Sequence, residues 1–401
     1  MQLRFLQRAA LAMTLGVSLG VAGCATLQRA PALTVAQSNQ VLVLGIANAR
    51  FMPSDIGQLQ QEFVAAGQRE IEWRRRTGQG GPLPPAEMLA ISGGGDDGAF
   101  GAGLLVGWTA HGDRPVFKGV TGVSTGALSA PFAFLGSDYD PQLRAVYTQI
   151  TARNIFRPRG KLAALFQDAL GDTAPLRETV ARFVDDRMIQ RIAEEYGKGR
   201  LLLIMSTNLD AGQPCIWNIG AIAASGKPGA RELIIKILMA SSAIPVAFPP
   251  VMIDLDVNGE HRQEMHVDGG VFAQAFLYPP GINAIEGAKM AGTVGRQRDA
   301  YIIRNSRLLS EQANVRRLTL PIASRAVSLM IASSGINDMI RIYATTTRDH
   351  VGYHLAYIGD DFTTPYKGPF DQGYMRTLFQ YGLDRASAGA EWKNKPPGWD
   401  Q

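Results

Sequence analysis

Cysteine is almost missing from this chain: its 401 residues hold two, Cys24 and Cys215. A disulfide framework is therefore excluded as the source of stability. Cys215 sits in the apolar run Pro214-Cys215-Ile216-Trp217 and reads as a buried, inert thiol. Dense basic stripes are lacking too. The formal net charge is +5, Arg4 and Arg8 contribute to it from the extreme N-terminus, and no Lys/Arg cluster alternates with aromatics. Nucleic acid is excluded as a partner on that pattern. Glycine-lysine-serine/threonine never occurs, so there is no phosphate-binding P-loop. Histidine is scarce at five residues, and none stands in an obvious catalytic frame. The chain also shows neither an internal repeat nor a low-complexity tract. An apolar content of 46% with 19% charged residues is that of an ordinary globular core.

What is present begins with an address. Arg4 and Arg8 precede an apolar stretch, Ala9 to Ala22, which ends in Val21-Ala22-Gly23-Cys24. A basic start, a short apolar core and small residues describe a secretory signal over 1–23. The stretch is shorter than the roughly 18 residues of a transmembrane helix. Its ending resembles the lipobox of bacterial lipoproteins. That resemblance implies lipidation at Cys24 and, with Ala25 following, an outer-membrane anchor on the periplasmic face of a Gram-negative envelope.

The remainder divides into 24–85, a tether with an N-terminal helical region and a Gly/Pro linker; 86–385, the main domain; and 386–401, a loose tail. Spacing of Ile56, Leu59, Phe63 and Ile71 predicts a helix from Ser54 to about Arg76. Beyond the linker, strands are expected at 88–92, 116–123, 201–206, 214–219, 264–267 and 301–304. Helices are expected at 99–110, 125–135, 141–148, 175–196, 231–239 and 318–347. Such alternation implies an α/β fold with a largely parallel central sheet flanked by helices.

Two glycine-framed turns carry the chemistry. Gly93-Gly94-Gly95-Asp96-Asp97-Gly98 follows the apolar run Met88-Leu89-Ala90-Ile91 and offers unhindered backbone N–H groups at a helix start. Gly122-Val123-Ser124-Thr125-Gly126 sets a serine on a sharp strand-to-helix turn, where its hydroxyl is presented. A nucleophile plus an anion site is the minimum equipment for acyl transfer. The first loop also fits the dinucleotide fingerprint Gly-x-Gly-x-x-Gly. That reading needs an acid after the second strand, and Asp113 lies before it. Two kinds of base are open to Ser124. His350 and His354 come late enough in the chain for an α/β-hydrolase triad. Asp268, in His266-Val267-Asp268-Gly269-Gly270, ends a short apolar run and could take the proton directly if burial raised its pKa.

The loop Ser92-Gly93-Gly94-Gly95-x-x-Gly98, the turn at Ser124, Ala240-Ser241-Ser242-Ala243-Ile244-Pro245 and Asp268-Gly269-Gly270 stand in the order and spacing of the patatin-like phospholipases. The resemblance spans about 86–305. It implies a three-layer fold and a lipid acyl hydrolase acting on carboxylic esters. Ser124 would be the nucleophile and Asp268 the base, with no histidine, metal or other cofactor. Amides of Gly93, Gly94 and Gly95 would form the oxyanion hole. The implied partner is a membrane lipid or acyl ester, reached at a membrane surface through the lipid anchor. One residue departs from the family pattern: Asp97 stands where Arg or Lys is usual, which adds negative charge near an oxyanion. A non-catalytic envelope lipoprotein keeping the fold is the remaining alternative.

Overall fold

The computed structural model describes residues 27–160, 167–308, 314–389 and 392–399. The expected signal 1–23 and the lipidation site Cys24 lie outside the described residues. Nine strands form one sheet among the described residues. They are β1 (Arg50–Phe51), β2 (Ala86–Ile91), β3 (Gly119–Val123), β4 (Leu201–Asn208), β5 (Gln213–Asn218), β6 (Val251–Val257), β7 (Glu260–Asp268), β8 (Arg298–Arg304) and β9 (Gly352–Tyr357). The spatial order is β1-β5-β4-β3-β2-β8-β9, with β7 beside β4 and β6 beside β7. Strands β4, β3, β2, β8 and β9 run parallel. Every residue of β3 and β4 is buried, as expected of strands covered on both faces, and β4 opens with the apolar run Leu201 to Met205. The sheet is therefore α/β and mostly parallel, with helices on both sides.

On one face pack α2 (Gly98–His111), α3 (Thr125–Leu135), α4 (Asp140–Thr148), α5 (Ala174–Phe183), α6 (Asp186–Gly197), α7 (Ala230–Ser241) and α10 (Gln372–Ser387). The other face is covered by α1 (Ile56–Arg76), the segment Ala273 to Ile282, α8 (Ala284–Ala291) and the second half of α9 (Thr319–Arg348). The helix expected over 175–196 is two helices. Asp185 stands between them in extended conformation, its carboxylate accepting the Met188 amide at 2.8 Å, and so begins α6 as a cap. Strands β1, β6 and β9 and helices α8 and α10 were not anticipated from the sequence.

The register of β4 decides where the site can form. Val123, the last residue of β3, pairs with Met205 of β4. The next β4 residues, Ser206, Thr207 and Asn208, pair instead with Asp268, Val267 and His266 of the antiparallel β7. Their opposite edge is occupied by β5, so β7 lies in line with β3. The C-terminal tips of β3 and β7 therefore meet head to head beside β4, with Ser124 directly after the first and Asp268 at the end of the second.

The N-terminal region is fastened to this frame. Arg29 pairs with Asp210 at 2.7 Å, Ala30 N donates to Gln263 at 2.9 Å, and β1 adds to the sheet edge along β5. Glu70 of α1 binds Lys118 at 2.8 Å and Arg296 at 2.6 Å. In the tail, Trp392 packs against Trp108 with ring centroids 4.8 Å apart, and Lys393 exchanges backbone hydrogen bonds with Leu355 at 2.8 and 2.9 Å. A half-buried indole against α2 and β8 thus holds a stretch whose composition had suggested a loose end.

A fully internal polar chain ties β1, β4, β5 and β7 together. Glu264 accepts from Arg50 at 2.5 Å and from the Ser38 hydroxyl at 2.5 Å. His266 bridges Glu264, 3.2 Å from Nε2, and Ser206, 2.9 Å from Nδ1. The carboxylate of Glu264 can only accept at Nε2, so Nδ1 of the neutral ring takes the Ser206 proton, while the Ser206 oxygen accepts from Trp217 at 2.8 Å. His266 is then neutral with its proton on Nε2, donated to Glu264. Burial holds the His266 pKa below the ordinary histidine value, and against its own burial Glu264 is held at about 2 by the His266 and Arg50 hydrogen bonds and the Arg50 charge. Removing Arg50 would leave the Glu264 carboxylate buried without its cation. Arg50→Ala is expected to cost about 3–5 kcal/mol, read from the urea unfolding midpoint.

Candidate active site

The turn after β3 holds Ser124 at φ 55° and ψ −124°, a conformation that a non-glycine residue adopts only under constraint. Several contacts supply that constraint. The Ser124 amide donates to the Ser241 hydroxyl at 3.0 Å, and Ser241 passes its own proton to Met205 O at 2.6 Å. Ser242 donates to Ser124 O at 3.3 Å. Gly126 lets α3 pass against the end of β2, where an added Cβ would lie 2.2 Å from Ile91 O. The side chain so presented lies beside the Asp268 carboxyl, close enough to favour its ionised form.

Asp268 is fixed from every side. Its amide donates to Ala243 O at 3.0 Å, its carbonyl accepts from the Thr207 hydroxyl at 2.9 Å, and its Oδ1 accepts the Gly270 amide at 2.7 Å. Burial dominates its electrostatics and pushes the carboxyl pKa up to about 6, against the opposing pull of the nearby Ser124 hydroxyl and the Gly270 amide.

The glycine loop lies directly over this pair. A Cβ built on Gly93 would come within 3.2 Å of the Ser124 Cβ. The Gly93 amide already donates to Gln274 O at 2.9 Å, which removes it from the expected set of oxyanion donors. The Gly94 and Gly95 amides make no hydrogen bond to the described residues. Residue 94 must be glycine because a Cβ there would fall 2.1 Å from Asn305 O.

Residues 89–278 match the patatin-like phospholipase family. That segment runs from β2 to the residues just past the Asp268 turn, and it contains the glycine loop, Ser124, Ser241, Ser242 and Asp268. Among solved structures the chain is similar to VipD from Legionella pneumophila, with 11% identity and a TM-score of 0.33, covering 76% of this chain and 66% of VipD. Human GIVD cytosolic phospholipase A2 is 11% identical with a TM-score of 0.28, over 70% of this chain and 51% of that one. The type III effector protein ExoU is 14% identical with a TM-score of 0.21, over 78% and 55%. The chain thus spans between about half and two thirds of the length of these structures. No curated protein matches it.

Residues beyond the patatin-like segment complete the loop. Asn305, fully buried after β8, donates its amide to the Ser92 hydroxyl at 2.8 Å and its Nδ2 to Ser92 O at 2.9 Å. Its Oδ1 accepts the Gly101 amide at 3.0 Å. Within the segment, the Gln274 side chain reaches Gly270 O at 2.9 Å, and its amide is held by Asp338 of α9 at 2.6 Å. Asn305→Ala would strand two buried partners and release the loop. It is expected to lower kcat about 10–100-fold with little change in KM, a split that steady-state kinetics reads directly.

Asp97 is turned to Tyr374, whose hydroxyl donates to Oδ1 at 2.7 Å. Asp96 accepts the Phe370 amide at 2.9 Å, and burial raises its pKa. Both acids at the start of α2 are therefore engaged by the segment leading into α10 and by α10 itself. The loop divides two cavities. An apolar recess of about 70 Å³ lies under α3 and is lined by Gly95, Thr125, Leu128, Phe132, Ile155 and Val180 among others. A polar cavity of about 390 Å³ opens on the other side, lined by Gly94, Gln274, the acids Asp96 and Asp97, the cations Arg304 and Arg307, and α9 residues.

The histidines considered as alternative bases sit elsewhere. His354 lies on β9, separated from β3 by β2 and β8. Its imidazole contacts Asp299 at 2.9 Å and stacks on Tyr301. His350 is exposed in the turn just before β9.

Proposed function

We propose that this chain is a serine hydrolase of lipid acyl esters that works through a Ser124–Asp268 dyad. The observation that carries the reading is the strained turn of Ser124 against a buried carboxyl, beneath the uncommitted amides of Gly94 and Gly95. Ser124 Oγ attacks the ester carbonyl as its proton passes to Asp268. The oxyanion accepts the Gly94 and Gly95 amides at the positive end of α2. Collapse expels the alcohol, which takes the proton from Asp268. Water then attacks the acyl-serine, again giving its proton to Asp268, and the fatty acid leaves as Ser124 recovers that proton.

The two cavities suit an ester with unlike halves. The apolar recess beside Thr125 favours the acyl portion, and the polar cavity beyond Gly93, lined by arginines as well as by Asp96 and Asp97, favours a polar headgroup. A lipid-anchored protein acylated at Cys24 on the periplasmic face of the outer membrane would meet such substrates where they are concentrated. The test is labelling with a serine-directed fluorophosphonate. Wild type is expected to label and Ser124→Ala is not; a folded wild-type chain that stays unlabelled would falsify the reading.

A further inference from the structure

The two halves of α9 behave differently. From Asp338 onward the helix is fixed: Asp338 holds the Gln274 and Ala275 amides, and Met339 and Ile342 are buried against the sheet. The preceding stretch leaves large apolar side chains in solvent. Leu318, Ile322, Val327, Leu329, Met330 and Ile331 are 56, 52, 54, 44, 70 and 38% exposed. These positions follow one another around the helix, so a large part of its circumference is apolar and uncovered. Contiguous exposed apolar surface of this kind marks an interaction site. No described helix is long and apolar enough to cross a membrane.

Charge and position identify what covers it. Arg316 and Arg317 are exposed at the head of this stretch, and no Asp or Glu occurs from Asn314 to Asn337. Apolar side chains edged by cations without acids are the composition of a helix that seats in the headgroup layer of an anionic bilayer. The same helix supplies Ile331, Ala332 and Gly335 to the wall of the polar cavity beside the glycine loop. A surface seated here would lie at the mouth of the Ser124 site.

We infer that Leu318 to Ile331 is a docking element for a bilayer carrying anionic headgroups, separate from any acyl anchor at the N-terminus. A local probe tests it. Met330→Cys, labelled with nitrobenzoxadiazole in a full chain that also carries Cys24→Ser and Ser124→Ala, reports the polarity at this helix alone. Cys215 is fully buried and should escape labelling. Val116→Cys, 73% exposed just before β3 at the opposite end of the parallel strands, is the control. Emission from position 330 is expected to shift blue with phosphatidylglycerol vesicles, weakly with phosphatidylcholine alone, and not at position 116. Arg316→Gln with Arg317→Gln is expected to weaken this partitioning roughly 30-fold. Three results would overturn the inference: no shift at 330, equal shifts at both sites, or a shift that grows with protein concentration in the absence of lipid, which would mean that a second copy covers the helix. Because Ser124 is replaced throughout, the outcome is independent of whether the chain hydrolyses lipid.

Discussion

Asp268→Asn is expected to lower kcat/KM for ester hydrolysis by about 10²–10⁴-fold while leaving the chain folded. Asparagine keeps the shape and can still accept the Gly270 amide, which lies 2.7 Å from Oδ1 in the wild type. It cannot take a proton from Ser124. Ser124→Ala should fall further, on the order of 10⁶-fold, because the covalent route itself disappears. The double variant should be no slower than Ser124→Ala alone, since two groups that act as one unit do not add. Rates with a chromogenic acyl ester, alongside unfolding curves for each variant, read all three. Full turnover by Asp268→Asn would remove the dyad. It would also return attention to the histidines, although His354 is occupied with Asp299 and separated from β3 by two strands.

The parts of this site that were legible in the sequence are the parts made by local chain geometry. A glycine loop after an apolar run, a serine between two glycines and an aspartate before two glycines each announce a turn, and the structure has those turns. What was not legible depends on distant chain. Asn305 locks the loop through Ser92 and Gly101, and Asp338 braces it through Gln274, yet neither residue stands in a pattern that marks it. Ser241 and Ser242 were noticed as a block. Their work, which is to hold the Ser124 backbone, follows only from the approach of α7 to β3. The Gly93 amide illustrates the reverse case: residue type suggested an available donor, and the partner at Gln274 O consumed it.

Fold elements divide in the same way. The buried parallel strands declared themselves as apolar runs. Strand β6 was missed because Asp254 and Asp256 interrupt its apolar residues, although that alternation, followed by Asn258 and Gly259 at φ 54° and 82°, is a hairpin signature. The spacing of Tyr374, Met375, Leu378, Phe379, Gly382 and Ala386, all buried along α10, was there to be read as one face of a helix.

Activity and stability are expected to move in opposite directions as pH rises through the range in which Asp268 titrates. The native carboxyl has a pKa of about 6, against an ordinary value of 3.8. Below about pH 4 it is protonated in both folded and unfolded chains and makes no difference between them. Between about 4 and 6 the native state keeps a proton that the unfolded chain has released, so stability falls as pH rises. Above about 6 the full cost is present, at most about 3 kcal/mol for a shift of this size. Over the same interval kcat/KM should climb about tenfold per pH unit and then level off, because only the ionised carboxylate can accept the Ser124 proton. Other groups tilt the raw stability curve the other way. His266 is held neutral and Glu264 ionised, and both lose stability as pH falls. The Asp268 contribution is therefore the difference between wild type and Asp268→Asn, measured by denaturation at about pH 5 and about pH 8. The variant should gain relative to wild type at the higher pH, by about 1–3 kcal/mol. A difference that does not change with pH would mean that Asp268 is already ionised at pH 5, and the rate profile should then be flat there as well. Either both curves bend near pH 6 or neither does, because the desolvation that destabilises the carboxylate is also what makes it a base strong enough for serine.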